Sequence, residues 1–287
     1  MIELELCRDL GIRTKANGSP PKVRMAMSGI SLGTCSFTTE EGRRNAARLI
    51  DHVGVRDKFA KPSLGFTNSI ITFRDCRYSF DTGFDSQPSL ADGVFIDNTP
   101  DRSLHDAPIS RAVFIPNADC PLAIVTGMAL YKSLWCTVVC HVGLKTFDHE
   151  HTLLDAAYEA IAEYMGANAF QLSVFTGFGA RNCCYGLNEQ DNHDLLERLS
   201  NRFDLGVQTV RYGPRMGQQG IDIESMVIQN IREFDRSASV ESLGICTSCY
   251  GFVDKNVHGF GSFFSNLRDT RKSNFRNGLV VAITDQP

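Results

Sequence analysis

A thiol and an imidazole each follow an apolar run of this sequence. Cys120 comes shortly after residues 112–115, and His141 shortly after residues 134–139. Both runs have the length and composition of buried β-strands, so two neighbouring strands can bring the side chains together. Cysteine is a nucleophile or metal ligand as the thiolate, which a nearby imidazole or metal ion stabilises. The pair is the main candidate for chemistry, and the alternative is a buried cysteine with a hydrogen-bonded core histidine.

Composition limits the classes of protein that the chain can represent. Its 287 residues are 43% hydrophobic and 22% charged, which is normal for a globular protein of one or two domains. A net charge of −4 argues against a nucleic-acid partner. No apolar run is long enough to cross a membrane, and the N-terminus lacks a signal-peptide core. With ten cysteines and no such signal, we expect a cytoplasmic protein with reduced thiols.

Helices and strands alternate irregularly along the chain. Capping residues and apolar spacing predict helices at 40–54, 152–166, 192–203 and 222–234. Further strands are predicted at 69–73, 93–96, 171–177, 207–212, 243–247 and 278–284. This order indicates a mixed sheet with flanking helices. No linker divides the chain, so we expect a single domain over residues 1–287, with 1–24 as a peripheral segment.

Several short segments occur in the order found in one family. They are SLG at 31–33, RNAARL at 44–49, ADCPL at 118–122, HVGLKT at 141–146, the loop 176–184, CT at 246–247, FFSNLR at 263–268 and FR at 275–276. In these segments the chain resembles the YfiH family. That family was long called multicopper polyphenol oxidase or laccase and was later understood as zinc-dependent purine nucleoside phosphorylases with adenosine deaminase activity. The resemblance covers about residues 25–285 and implies an α/β (mixed α+β) fold, a layered sandwich of mixed β-sheets covered by helices.

The resemblance also implies a site. The family's zinc is held by a histidine from a Gln-Val-His-Gly segment and by the residues that match Cys120 and His141, with one open position for catalysis. The ion would orient phosphate or water against a purine nucleoside. The segment that corresponds to the first ligand is KPSLGFTNS at 61–69, which has Gly65 or Phe66 in place of histidine. Substrate contacts are expected from Asn45, Asp119, Lys145, Arg268 and Arg276.

Three hypotheses stay open at this point. In the first, zinc binds Cys120 and His141 with a substitute ligand, for which Cys76, Cys140, Cys183, Cys184 and Cys246 are conceivable. In the second, no metal binds and the Cys-His pair is an amidohydrolase or deamidase. The fold of the family also resembles the glutamine deamidases of the cytotoxic necrotising factor toxins and of chemoreceptor modification. In the third, the protein is a non-catalytic binding descendant.

Other cofactors are not expected. Seven dispersed histidines do not form the sets of His-x-His pairs that laccase copper needs. The glycine-containing loop at 177–186 lacks the strand–GxGxxG–helix context of a nucleotide-cofactor site. A lone CxxC at Cys246 and Cys249 is a weak metal signal. The expected partners are a purine nucleoside and phosphate, and the oligomeric state is left open.

Overall fold

Two mixed β-sheets pack face to face, and helices cover their outer sides. The computed structural model describes residues 2–6, 21–28, 32, 34–55, 59–85, 87–98, 110–206, 208–211, 215–248 and 276–284. Within these ranges the predicted layered α/β sandwich is confirmed. The FFSNLR segment with Arg268, Cys249 and most of the N-terminal segment lie outside the described residues.

The strands, numbered in chain order, form two large sheets and one small one. The first sheet has the order β1 (Ile2–Leu6), β2 (Lys22–Met27), β15 (Asn277–Thr284), β8 (Ser110–Asn117), β3 (Phe59–Ala60), β5 (Arg77–Ser79), β6 (Gly83–Phe84). The second has the order β14 (Ser239–Ser242), β11 (Phe170–Gly177), β9 (Leu122–Ala129), β10 (Trp135–His141), β7 (Gly93–Asp97), β4 (Ile70–Thr72). A short pair joins β12 (Gly186–Leu187) and β13 (Gln219–Gly220). Within the N-terminal segment that was expected to be peripheral, β1 is an edge strand of the first sheet.

The central strands are buried on both faces. In β8, Val113 and Ile115 face the second sheet, whereas Ala112 and Phe114 face the helix outside the first sheet. The same alternation of faces occurs in β9 and β15. Strands covered on both sides have continuous apolar sequences, because each face packs against another layer.

Four helices flank the sheets in the described part of the chain. They are α1 (Glu40–Val53), α2 (Leu153–Met165), α3 (His193–Arg202) and α4 (Ile223–Phe234). The side chain of Thr39 caps α1, and Thr152 forms a capping box at α2. Gly54 ends α1 with a left-handed backbone, φ 84°. The four predicted helices are therefore confirmed. None of the helices in the described ranges combines the length and the apolar character that crossing a membrane requires.

The sequence did not predict strand β9, which lies along the chain between β8 and β10, the two strands that were expected to be neighbours. Strands β8 and β10 lie in different sheets, and β9 leads the chain from one to the other and pairs with β10. The expectation that the two apolar runs form neighbouring strands was wrong. The run of β9 is buried at every position, so it has no alternation that would distinguish a strand.

The strands expected at 207–212 and 243–247 are also corrected. In the described residues these stretches make only single bridges, at Thr209 and Cys246. The edge strand is instead β14, which pairs in parallel with β11. An exposed edge position of this kind needs no apolar pattern.

Candidate active site

Cys120 and His141 lie side by side at one end of the sheet sandwich. Cys120 is in the turn from β8 to β9, where the chain passes between the sheets. His141 ends β10, and its Cα pairs with that of Leu122. The thiol of Cys120 is hydrogen-bonded to the ring of His141. His141 is buried, and Cys120 is half-buried at the edge of a cavity.

Asp92 is the third member of the arrangement. Its Oδ1 lies 3.0 Å from Nδ1 of His141, which leaves Nε2 for the thiol. Its Oδ2 accepts hydrogen bonds from the backbone N–H of Thr67 at 2.7 Å and of Gly65 at 3.3 Å. Its backbone oxygen accepts from the N–H of His141 at 2.7 Å. A fully buried carboxylate with this many donors fixes the orientation of the imidazole.

These neighbours make His141 a stronger base than a free imidazole. Burial of the ring opposes the imidazolium, but the negative charge of Cys120 and the hydrogen bond to Asp92 outweigh it. The pKa of His141 is therefore raised to about 9. In a Cys–His–Asp arrangement, a cationic histidine holds the proton of the thiol while the carboxylate orients the ring.

Phe66 is one of the two residues, with Gly65, that the resemblance places at the first metal ligand. Its ring centroid is 5.6 Å from that of His141. A Cβ placed on Gly143 would lie 2.6 Å from the Phe66 ring and 3.5 Å from Sγ of Cys120. The ring therefore lies beside both members of the pair. Its backbone is left-handed, φ 52°, which is rare for phenylalanine and typical of strained functional segments.

A catalytic zinc at Cys120 and His141 does not fit these residues. Within the described chain, no group of three clustered ligands includes either of them. The phenyl ring of Phe66 cannot bind the ion. Cys76 and Cys140 are each buried at other positions of the core, and burial, aided by a nearby carboxylate, raises the pKa of both thiols. Neither supplies the missing ligand.

The remaining three thiols named as substitutes form a cluster of their own. The Sγ atoms of Cys183, Cys184 and Cys246 all lie within 4.8 Å of one another, and this group can hold a metal ion. The cysteines of the described residues form no disulfide. Cys246, the first cysteine of the CxxC, therefore has partners that sequence spacing did not reveal, because the Cys183-Cys184 pair reaches it only through the fold.

The Cys–His pair opens into a cavity of about 600 Å³. Lys61 lies in its wall with Nζ 4.8 Å from the ring centroid of Phe37, and burial lowers the pKa of its ammonium group. No carboxylate pairs with Lys61 in the described part of the chain. Arg215 stacks over Tyr185 at 5.5 Å, and burial is the main cause that raises the pKa of the Tyr185 hydroxyl to about 12.

The other predicted site residues that the structure describes fall into two groups. Asp119 and Arg276 line the cavity. Asn45 is buried in α1 and donates to the backbone oxygen of Thr34 at 3.0 Å, and Lys145 is exposed. Neither of these two is among the described residues that line the cavity.

Sequence reasoning missed Asp92, Lys61, Tyr185 and Arg215 as site residues. Of these four, only Asp92 could have been noticed in the sequence. It is an acid between an apolar residue and the buried strand β7, and a buried acid needs a partner.

A second strained residue supports the cavity wall. Phe178 has φ 62°, and with Phe66 it is one of the two non-glycine residues of positive φ among those described. Its backbone oxygen accepts from Nδ2 of Asn117, which lines the cavity. The next residue, Gly179, cannot be larger because a Cβ would lie 2.7 Å from Pro121. Strained backbone therefore occurs in the cavity lining, at Phe66, and behind it, at Phe178, as is typical of functional sites.

The fold and the site define an α/β sandwich with a Cys–His–Asp arrangement at its edge. No family model matches the sequence, and no curated protein does. Three crystal structures share the fold. Protein NMB0706 of Neisseria meningitidis, of family DUF152, is 14% identical with a TM-score of 0.59, covering 93% of this chain and 95% of its own. The hypothetical protein YfiH of Bacillus licheniformis is 16% identical, with a TM-score of 0.56 and coverage of 93% and 92%. YlmD of Geobacillus stearothermophilus is 15% identical, with a TM-score of 0.54 and coverage of 94% and 93%. The fold that the sequence motifs imply is thereby confirmed.

Proposed function

We propose that the protein is a divergent YfiH-type protein that acts as a thiol-dependent amidohydrolase or related acyl-transfer enzyme. The observation that carries the proposal is the hydrogen-bonded line from Cys120 through His141 to buried Asp92, beside a cavity. Phe66 supports it further, since it removes the metal ligand but leaves the dyad intact. Nucleophile, base and orienting group are the parts that covalent catalysis requires.

Each residue has one task in the reaction. Sγ of Cys120 attacks the carbonyl carbon of an amide or ester while His141 holds the proton of the thiol. The carbon–nitrogen or carbon–oxygen bond breaks, and the leaving group takes that proton. Water then attacks the thioester, His141 accepts the proton of the water, and the carbon–sulfur bond breaks. Asp92 is a positioning residue throughout, because its carboxylate hydrogen-bonds to His141 and to the turn that carries Phe66.

The cavity indicates the class of substrate. Among the described residues, the lining has the cationic side chains of Lys61, Arg215 and Arg276 besides His141, against the carboxylate of Asp119. The rings of Phe66 and Tyr185 lie in the same lining. A carboxylate or phosphate on a substrate that also has a flat or apolar part matches this combination.

Alkylation of Cys120 tests the proposal without knowledge of the substrate. Iodoacetamide is applied at pH 7 in the presence of a chelator, and each cysteine peptide is quantified by mass spectrometry. We expect Cys120 to be alkylated at least tenfold faster than in the His141→Gln variant. The half-buried thiol of Cys183, measured in the same digests, should react equally in both proteins. Hydrolysis of nitrophenyl esters and release of ammonia from glutamine peptides are measured in parallel and should be lost in Cys120→Ser.

Equal alkylation of Cys120 with and without His141 would remove the basis for the proposal. An inert Cys120 in a folded, metal-free protein would favour the non-catalytic descendant.

Phosphorolysis of a purine nucleoside is the second candidate. The observation that favours it is the cationic and aromatic lining, which also suits phosphate and a base. The test is chromatographic detection of free base and ribose 1-phosphate from adenosine or inosine with phosphate, with and without added zinc. We expect no product, because Phe66 occupies the place of a metal ligand. Product formation that requires Cys120 would reverse the order of the two candidates.

A further inference from the structure

We propose that Cys183, Cys184 and Cys246 form a second site, separate from Cys120 and His141, which binds one thiophilic ion with a filled d shell, Zn²⁺ or Cu⁺. The ion would join two loops, one of which contributes Tyr185 to the wall of the cavity. This inference does not depend on the reaction proposed for Cys120.

The three thiols come from two segments that are distant in sequence. Cys183 and Cys184 lie in the loop between β11 and β12, and Cys246 follows β14. A single parallel bridge between Gly179 and Cys246 brings the segments together, and the N–H of Thr247 donates to the oxygen of Gly179 at 3.0 Å. The juxtaposition is therefore a product of the fold.

The separation of the sulfur atoms fits metal coordination. A tetrahedral ion with metal–sulfur bonds of about 2.3 Å places its thiolates about 3.8 Å apart. The three Sγ atoms all lie within 4.8 Å of one another without an ion. Adjustments of the sulfur positions by about 1 Å would bring the three thiolates to this spacing. Zn²⁺ would take a water molecule as its fourth ligand, whereas a trigonal Cu⁺ site needs no further ligand. Three thiolates are the donor set that such soft ions prefer.

The surroundings also suit a cluster of thiolates. The backbone N–H of Arg181 donates to Sγ of Cys246 at 3.3 Å, a contact that stabilises negative sulfur. The guanidinium of Arg181 lies within electrostatic range of Cys183 and is held by Asp222 at 2.8 Å. The same guanidinium also lies 3.8 Å from the carboxylate of Glu224, so its positive charge is shared among two carboxylates and the thiol cluster. Cys184 and Cys246 are buried, so the site is shielded from solvent on two sides.

The cluster is connected to the cavity wall. Tyr185, next to Cys184, lines the cavity, and its hydroxyl is within electrostatic range of Cys120. Oγ1 of Thr247, next to Cys246, donates to Asp119 at 3.4 Å. An ion bound to the three sulfurs would thus hold Tyr185 and Asp119 in place without contacting the substrate.

Metal content of the full chain tests the inference. Protein purified without a histidine tag, under reducing and anaerobic conditions, is analysed by mass spectrometry for zinc and copper, as isolated and after reconstitution with each ion. We expect stoichiometric metal in the wild type and at least tenfold less in Cys246→Ser. The Cys183→Ser variant repeats the test at a half-exposed position, where serine does not disturb the core. Cys120→Ser is the matched control and should keep the ion.

Cobalt substitution identifies the ligands. Co²⁺ bound to thiolates gives a sulfur-to-metal charge-transfer band, which should weaken in Cys183→Ser and stay unchanged in Cys120→Ser. Loss of the metal in Cys120→Ser but not in Cys183→Ser or Cys246→Ser would overturn the inference, since the ion would then lie at the candidate active site. The inference would also be overturned if the wild type stays metal-free after reconstitution. The same holds if two of the three thiols form a disulfide that persists after reduction and addition of metal.

Discussion

Replacing Phe66 with histidine should create the metal site that the chain lacks. A tetrahedral ion with metal–nitrogen bonds of about 2.0 Å places two ligating imidazole centroids about 5 Å apart. The ring centroids of Phe66 and His141 are already 5.6 Å apart. Histidine also tolerates the left-handed backbone at this position better than phenylalanine does. The variant needs only a small rotation to bind zinc through three residues.

The effect on stability follows from exposure and affinity. Phe66 is 43% exposed, so without metal the variant should lose only about 1 kcal/mol of burial energy. Zinc at a hundredfold excess over its Kd should then add about 2.7 kcal/mol. For a chain of 287 residues that corresponds to a rise in Tm of about 4–5 °C.

Two measurements check the prediction. Thermal unfolding is followed with and without zinc. Metal content is compared between the variant and the wild type, and the expected result is one additional ion per chain in the variant. Phe66→Asn is the matched control, since asparagine tolerates the same backbone but is a poor zinc ligand. The double variant with Cys120→Ser should lose the added ion. No increase in metal content, or a wild type that already binds zinc through Cys120 and His141, would refute the assignment of Phe66 to the missing position.

Two further predictions concern the carboxylate behind His141 and the start of α1. Because the pKa of His141 is raised to about 9, its imidazolium stabilises the fold fully below about pH 6.5, and this contribution is lost as pH rises through 9. Asp92→Asn should lower that pKa, shift the alkaline limb of Cys120 alkylation to lower pH and flatten the fall in Tm between about pH 6.5 and 9. Asp148→Asn, at a partly exposed acid that pairs with Arg198 instead of a histidine, should change neither profile. Identical profiles for Asp92→Asn and the wild type would contradict the role of Asp92. Gly42→Ala should lower the Tm by at least about 5 °C although alanine favours helices, because its Cβ would lie 1.8 Å from the backbone oxygen of Ser36, and an unchanged Tm would show that the segment before α1 yields easily.

The sequence by itself determined the helices and the general architecture. Caps such as Thr39 and Thr152, and stops such as Gly54 and Gly166, act within a few residues of the chain, so local reasoning finds them. The apolar runs of the strands likewise indicated buried sheets. The ordered motifs then implied the YfiH-type fold, which the three crystal structures bear out.

The sequence also pointed to Cys120 and His141 as the candidate pair, whereas the absence of a first histidine ligand was implied by the resemblance to the YfiH family. Only residue identity is needed for the pair, because thiols and imidazoles are the groups that can carry nucleophilic or metal chemistry.

Only the tertiary structure decided which residues surround the pair. Asp92 reaches His141 from 49 residues away, and Cys246 reaches Cys183 through a single bridge between distant loops. The position of β9 between β11 and β10 in the second sheet likewise depends on packing against both layers, which no local pattern records. Contacts of this kind are set by the summed burial of two sheets, and the sequence near each residue does not contain that information.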